Sequence, residues 1–149
     1  MDNRTEKRRI GDLGESLACD WLKKQGFRIL ERNYLTKFGE IDIIGQKSGQ
    51  IVFFEVKTVT STVAKAIVDK RGNISGLTNN VTRESVVGDY YEPEDNIHPW
   101  KLKRLARTIE IYLSDKDIDE EVDWQLDSLA IYLDQEGRLL RVERLEDIF

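Results

Sequence analysis

An α/β fold, in the order helix, three strands, helix, two strands, is predicted by three features of the sequence. Ile10, Leu13, Gly14, Leu17, Ala18, Trp21 and Leu22 recur at helical spacing and give one apolar stripe. The runs Gly39-Glu40-Ile41-Asp42-Ile43-Ile44 and Ile51-Val52-Phe53-Phe54-Glu55-Val56-Lys57 flank a Ser48-Gly49 turn, and Gly tolerates the positive φ that tight hairpin turns demand. A second apolar stripe opens at Pro99, whose missing N–H suits the first helical position, and two further strand-like runs follow it. A mixed sheet flanked by helices accommodates all of these elements.

The first helix is expected to end near Gly26, a favourable residue just past a helix C-terminus. Glu15 lies at the margin of its stripe, on the side of Ala18 and Leu22, so it points along the sheet surface or into water near the helix dipole. Periodicity alone assigns it the solvated role. Residues 27–34 alternate imperfectly and carry β-formers, which makes them the first strand, feeding a turn over 36–39. The third strand is apolar on both faces as far as Phe54, as in a central strand covered on both sides. Glu55 and Lys57 are then anomalous.

With Ser48 and Gly49 as the turn, Lys47 faces Gln50, and counting along the ladder sets Asp42 opposite Glu55 and Glu40 opposite Lys57. Opposed residues have Cβ atoms roughly 4.5–5.5 Å apart, and like charges so placed destabilise a sheet unless a cation sits between them. Two readings compete. Asp42, Glu55 and Lys57 form a metal site delivered by a buried strand, or they form an ion pair at the strand's end that keeps the charges from being buried unpaired.

Residues 58–97 are rich in Thr, Ser, Asn, Gly and Asp and far exceed the usual connection of about 4–6 residues, as functional lids and disordered segments do. Within them, 63–68 fits a short helix or an extra strand, 72–80 has the composition of a flexible stretch, and Tyr90-Tyr91 could stack on bases or pack on the body. The Pro99 helix buries Leu102, Leu105, Ala106, Ile109, Tyr112 and Leu113. Lys101, Lys103, Arg104 and Arg107 place four cations in seven residues, either a phosphate-contacting surface or a solvated face. His98, the one histidine, has no catalytic partner in view and is read as helping to start this helix. After an acidic connection over 114–122, strands are expected at 124–133 and 138–145 around a turn at 134–137.

At 149 residues the chain suits one domain, 1–149, interrupted by the polar stretch at 58–97. Its 40% hydrophobic and 34% charged residues are ordinary for a soluble globular protein. No apolar run follows the basic residues of 4–9, and no segment approaches the roughly 20 apolar residues of a membrane span, so a cytoplasmic protein is expected. Cys19 has no second cysteine to pair with and is read as a packing residue. A net charge of −5 argues against coating nucleic acid by bulk electrostatics, but the charge is segregated, positive at 4–9 and 101–107 and acidic at 115–127.

Taken together, Gly14-Glu15 with Ala18 on a helix, Gly39-Glu40-Ile41-Asp42 on one strand, Phe54-Glu55-Val56-Lys57-Thr58 on the next and a later basic helix resemble the YraN-like bacterial family. That family belongs by fold to the restriction-endonuclease-like, or PD-(D/E)XK, superfamily. The resemblance is specific from Gly11 to Thr58 and continues more weakly through 99–113 and 126–131. It implies a restriction-endonuclease-like core, α-β-β-β-α-β-β. It further implies that Asp42 and Glu55 ligate Mg²⁺ or Mn²⁺, that Lys57 is the active-site lysine, and that Glu15 is the helix carboxylate completing the site. Relatives in that family have a shorter segment after the third strand, often opening with an arginine where this chain has Val59.

The expected function is metal-dependent endonucleolytic hydrolysis of nucleic-acid phosphodiester bonds, with DNA favoured over RNA. The alternatives are a non-catalytic nucleic-acid-binding module on the same fold, and an interaction domain in which the charges are purely structural. Carboxylate oxygens do suit Mg²⁺, which takes one or two of them and keeps several waters.

Overall fold

The structure, a computed structural model, describes residues 3–60, 67–68, 74–75 and 98–149. Helix α1 (Asn3–Lys24) leads into β1 (Arg28–Thr36), β2 (Gly39–Lys47) and β3 (Gln50–Thr60). Two short strands follow, β4 (Ile67–Val68) and β5 (Ile74–Ser75), then helix α2 (Pro99–Asp115), β6 (Trp124–Leu133) and β7 (Leu139–Leu145). The α-β-β-β-α-β-β order is therefore present, with the β4–β5 pair added between β3 and α2.

The end of α1 follows from its sequence. Gly26 adopts φ 94, and this left-handed residue turns the chain so that Gly26 N–H donates to the Lys23 carbonyl and Phe27 N–H to the Leu22 carbonyl, both at 3.0 Å. The β2–β3 hairpin is equally local in origin: Ser48 and Gly49 both have positive φ, 52 and 77, as a type I′ turn requires, and Lys47 pairs with Gln50 as expected.

Five strands form one sheet in the order β1-β2-β3-β6-β7, antiparallel throughout except where β3 and β6 run parallel. The sheet is covered on both faces. Against one, α1 packs Ala18, Cys19 and Leu22 on Ile43, Val52, Phe54, Leu129 and Ile131; against the other, α2 packs Leu105, Ile109 and Tyr112 on Ile41, Ile44, Ile51, Phe53 and Leu126. The double covering explains the near-continuous apolar run of β3, and Cys19 is buried as the packing residue it was read to be. Among the described residues no helix is long and apolar enough to cross a membrane.

The element boundaries differ from the sequence expectation in three places. Helix α1 starts at Asn3, taking in the basic stretch ahead of Ile10. Strand β3 continues past Lys57 because its parallel ladder with β6 runs on, pairing Thr58 with Ile131, Val59 with Tyr132 and Thr60 with Leu133. Of the readings made for 58–97, Ile67–Val68 is a strand rather than a helix, paired with Ile74–Ser75. The rest of 63–68 and 72–80, and Tyr90-Tyr91, lie outside the described residues.

Gly14 sets the distance between α1 and β3. A Cβ at this position would stand 1.9 Å from Thr58 Oγ1 and 2.8 Å from Thr58 Cβ, so only the bare helix backbone fits against the strand. The contact carries the next residue, Glu15, to the far end of β3. Gly14→Ala must push helix and strand apart, and we expect a net loss of about 1–3 kcal/mol in denaturant unfolding despite the better helix propensity of Ala. Unchanged or greater stability would mean that the helix shifts at no cost.

Candidate active site

The site begins with a break in the regularity of β2. Ile41 and Ile44 both pack in the α2 core while Ile43 packs in the α1 core, so the strict alternation of a strand fails between Ile41 and Ile43. Opposite the break, Asn33 of β1 sits between the pairs Arg32–Ile43 and Tyr34–Ile41 with φ 52, a left-handed conformation that Asn tolerates better than most residues. The ladder between β2 and β3 stops at the same level, its last pair being Ile43 with Phe54.

Past this point β2 and β3 part, and Asp42 fills the opening. Its Oδ2 accepts a hydrogen bond from Val56 N–H at 2.7 Å, replacing the backbone acceptor that the ladder no longer supplies. Around it stand Glu55 of β3, Glu15 of α1 and Glu40 of β2, each close enough to act on its charge. Burial and the adjacent Glu55 push the Asp42 carboxyl up to about 8, against the opposing pull of the Val56 hydrogen bond. Glu15 is also raised, first by burial and then by Glu40, while Arg32 and Asn33 pull it back.

Two bridges hold this acidic group together. The carboxylates on either side of the Asn33 amide require its nitrogen to face them, and in that orientation it donates to Glu40 Oε1 at 2.8 Å and to Glu15 Oε2 at 2.9 Å. From the other helix, Lys101 Nζ lies 2.5 Å from Glu55 Oε1. A cavity of about 320 Å³ opens over this group on the α2 side, lined by Glu40, Asp42, Glu55, Phe38, Trp100 and Lys101 among others. A second, of about 500 Å³, lies beside α1 and is lined by Glu15, Lys57, Val56 and Thr58 among others.

The expected residues are thus brought to the same end of β3, in a different arrangement. The register is the one counted from the turn as far as Ile43–Phe54, but neither Asp42–Glu55 nor Glu40–Lys57 is a ladder pair, because the strands have separated. Glu40 pairs instead with Leu35 of β1, and Lys57 with Ala130 of β6. Glu15 does not take the solvated role that periodicity gave it; it is partly buried and bonded to Asn33. The four cations of α2 are divided. Lys101 enters the notch, Arg104 Nε donates to the Phe38 carbonyl at 2.6 Å, the Arg107 guanidinium lies 5.1 Å from the centre of the Phe38 ring, and Lys103 is exposed.

Asn33 and Lys101 are the participants that sequence reasoning missed in these roles. An Asn in mid-strand, where Asn is depleted, was the available signal for the first. Nothing in the sequence paired Lys101 with Glu55. Among the described residues no group of three or more His, Cys, Asp or Glu side chains is arranged to hold a metal ion. A cation here would rest on one or two carboxylates, which is what Mg²⁺ commonly takes from a protein.

Residues 14–75, the part of the chain that supplies most of this notch, match the family model described as uncharacterised protein family UPF0102. A UPF0102 protein of Flavobacterium johnsoniae is 30% identical over 146 residues, covering 97% of this chain and 96% of the relative. The chain belongs to the UPF0102 family. Other UPF0102 proteins similar to it come from Vibrio parahaemolyticus, 33% identical over 126 residues with 85% and 83% of the two chains covered, and from Helicobacter pylori, 35% over 117 residues with 78% and 75% covered.

Proposed function

We propose that this UPF0102 protein is a metal-dependent phosphodiesterase that cuts nucleic acid endonucleolytically, DNA in preference to RNA, and that its fold is the restriction-endonuclease-like one of the YraN-like family. The observation that carries the reading is the half-buried Asp42 carboxyl at the β2–β3 opening, surrounded by Glu55, Glu15 and Glu40. Carboxylates crowded until one holds its proton to about pH 8 are poorly stable without a cation, and Mg²⁺ or Mn²⁺ would relieve them. The α-β-β-β-α-β-β order and the mixed sheet agree with the same reading.

Asp42 and Glu55 would hold the ion, with Glu15 as the third carboxylate on the α1 side. When bound, such an ion polarises a phosphodiester oxygen and orients a hydrolytic water. Lys57 would place that water, or offset the charge that develops on the phosphorus oxygens. Lys101 neutralises Glu55, and with an ion on that carboxylate it would turn to a phosphate instead. Lys103, Arg104 and Arg107 would meet backbone phosphates along α2.

A second reading, a nucleic-acid-binding module without cleavage, is favoured by one observation: Lys101 already occupies Glu55. A cleavage panel over single-stranded, nicked, branched and duplex DNA and over RNA, with Mg²⁺ or Mn²⁺, separates the two. The expected result is cutting of at least one substrate, lowered by about 10²-fold or more in Lys57→Ala. Binding that survives Asp42→Ala and Lys57→Ala, with no cutting of any substrate, would decide for the second reading.

A further inference from the structure

Trp100 is 59% exposed, although burying an indole is among the larger gains a side chain offers. It stands on the first turn of α2 and lines the cavity that holds Asp42 and Glu55. Its position is fixed from both sides. The next residue, Lys101, is paired with Glu55, Arg104 is bonded to the Phe38 carbonyl, and the His98 ring lies parallel to the indole, 8° between planes and 6.3 Å between centres. Across the cavity Phe38 is flanked by Lys37, 5.2 Å from its ring centre, and by Arg107.

An aromatic face set among cations beside a phosphodiester site has a specific use. Cations attract the backbone of any nucleic acid, whereas an indole face rewards only a base whose own face is free. In a duplex those faces are taken up by neighbouring bases. We propose that Trp100 is a stacking platform for an unpaired base next to the carboxylate notch, so that the site selects single-stranded nucleic acid or the unpaired part of a branched one. The inference rests on the nucleic-acid reading above and adds the form of the substrate.

The test is equilibrium binding of the full chain, with Ca²⁺ present, to three oligonucleotides of one length: single-stranded, the same strand with abasic sites in place of its bases, and duplex. Stacking of one base is worth enough to be read as roughly a tenfold change in Kd. The parent is expected to prefer the base-bearing strand to the abasic one by about that factor, Trp100→Ala to lose the preference, and Trp100→Phe to keep most of it, with duplex affinity alike in all three. Equal affinity of the parent for the two single strands would overturn the proposal. So would a preference that survives Trp100→Ala, or a loss shared equally by single strand and duplex; in each of these cases the nucleic-acid reading still stands. No binding of any oligonucleotide by the parent would overturn both.

Discussion

Replacing Asp42 by Asn is expected to raise the melting temperature of the metal-free protein at pH 8 while abolishing both stabilisation by divalent metal and phosphodiester cleavage. In the folded protein the Asp42 carboxyl is pushed up to about 8, first by burial and then by Glu55, whereas in the unfolded chain it titrates near 4. The folded state therefore holds a proton that the unfolded state has released, and stability falls as pH rises between those two values. Below pH 4 both states are protonated and the penalty vanishes; above pH 8 it is complete.

Asn keeps an oxygen for Val56 N–H and carries no charge, so the variant should show a flatter pH profile. The two curves should converge towards pH 4 and differ most at pH 8, in the presence of a chelator. Mg²⁺ or Mn²⁺ should then raise the melting temperature of the parent alone, and cleavage by the variant should fall by about 10²-fold or more. Identical pH profiles would mean that Asp42 is not the strained carboxyl of the notch. A metal-induced shift that persists in Asp42→Asn would move the ion elsewhere.

The second large effect is expected on the other side of β3, at Asp127, which pairs with Phe54, and at Arg144. Asp127 is fully buried, and its carboxylate accepts hydrogen bonds from Arg144 Nε at 2.7 Å, from Gln125 Nε2 at 2.7 Å and from Asp147 N–H at 3.0 Å. The Arg144 guanidinium also lies over the Phe27 and Phe54 rings, 5.2 and 5.8 Å from their centres, tying β7 to the α1 core. Arg144→Met leaves the buried carboxylate without its counter-charge, which costs about 3–5 kcal/mol. For a chain of this size that lowers the melting temperature by roughly 10–15 °C. The double variant Asp127→Asn with Arg144→Met removes both charges and should recover most of the loss. A single variant as stable as the parent would show that water reaches Asp127 freely.

The two carboxylate sites differ in how far they could be read in advance. The β2–β3 hairpin is local: Ser48-Gly49 fixes the turn, period-two counting fixes the register, and both hold as far as Ile43–Phe54. Counting could not say where the ladder ends. That is set by Asn33 in the neighbouring strand β1, one turn of chain away, and by the two cores, which draw Ile41 and Ile43 to opposite faces. Nothing in the sequence marked Asp127 as buried beside Arg144, because its partners come from positions 125, 144 and 147, which meet only when β7 folds back on β6.

The sequence by itself determined the order of helices and strands, the turn, the doubly covered central strand and the presence of Asp42, Glu55 and Lys57 near one end of it. These follow from periodicity and turn chemistry, which act over a few residues. The tertiary structure alone decided that β2 and β3 part beyond Ile43–Phe54, that Asp42 and not a ladder pair fills the gap, and that Asn33 and Lys101 bridge the acids around it. The physical reason is that β3 stays in register with β6 as far as Thr60, while β2 leaves it to follow β1. A neighbour strand more than sixty residues away thus opens the space in which the carboxylates collect.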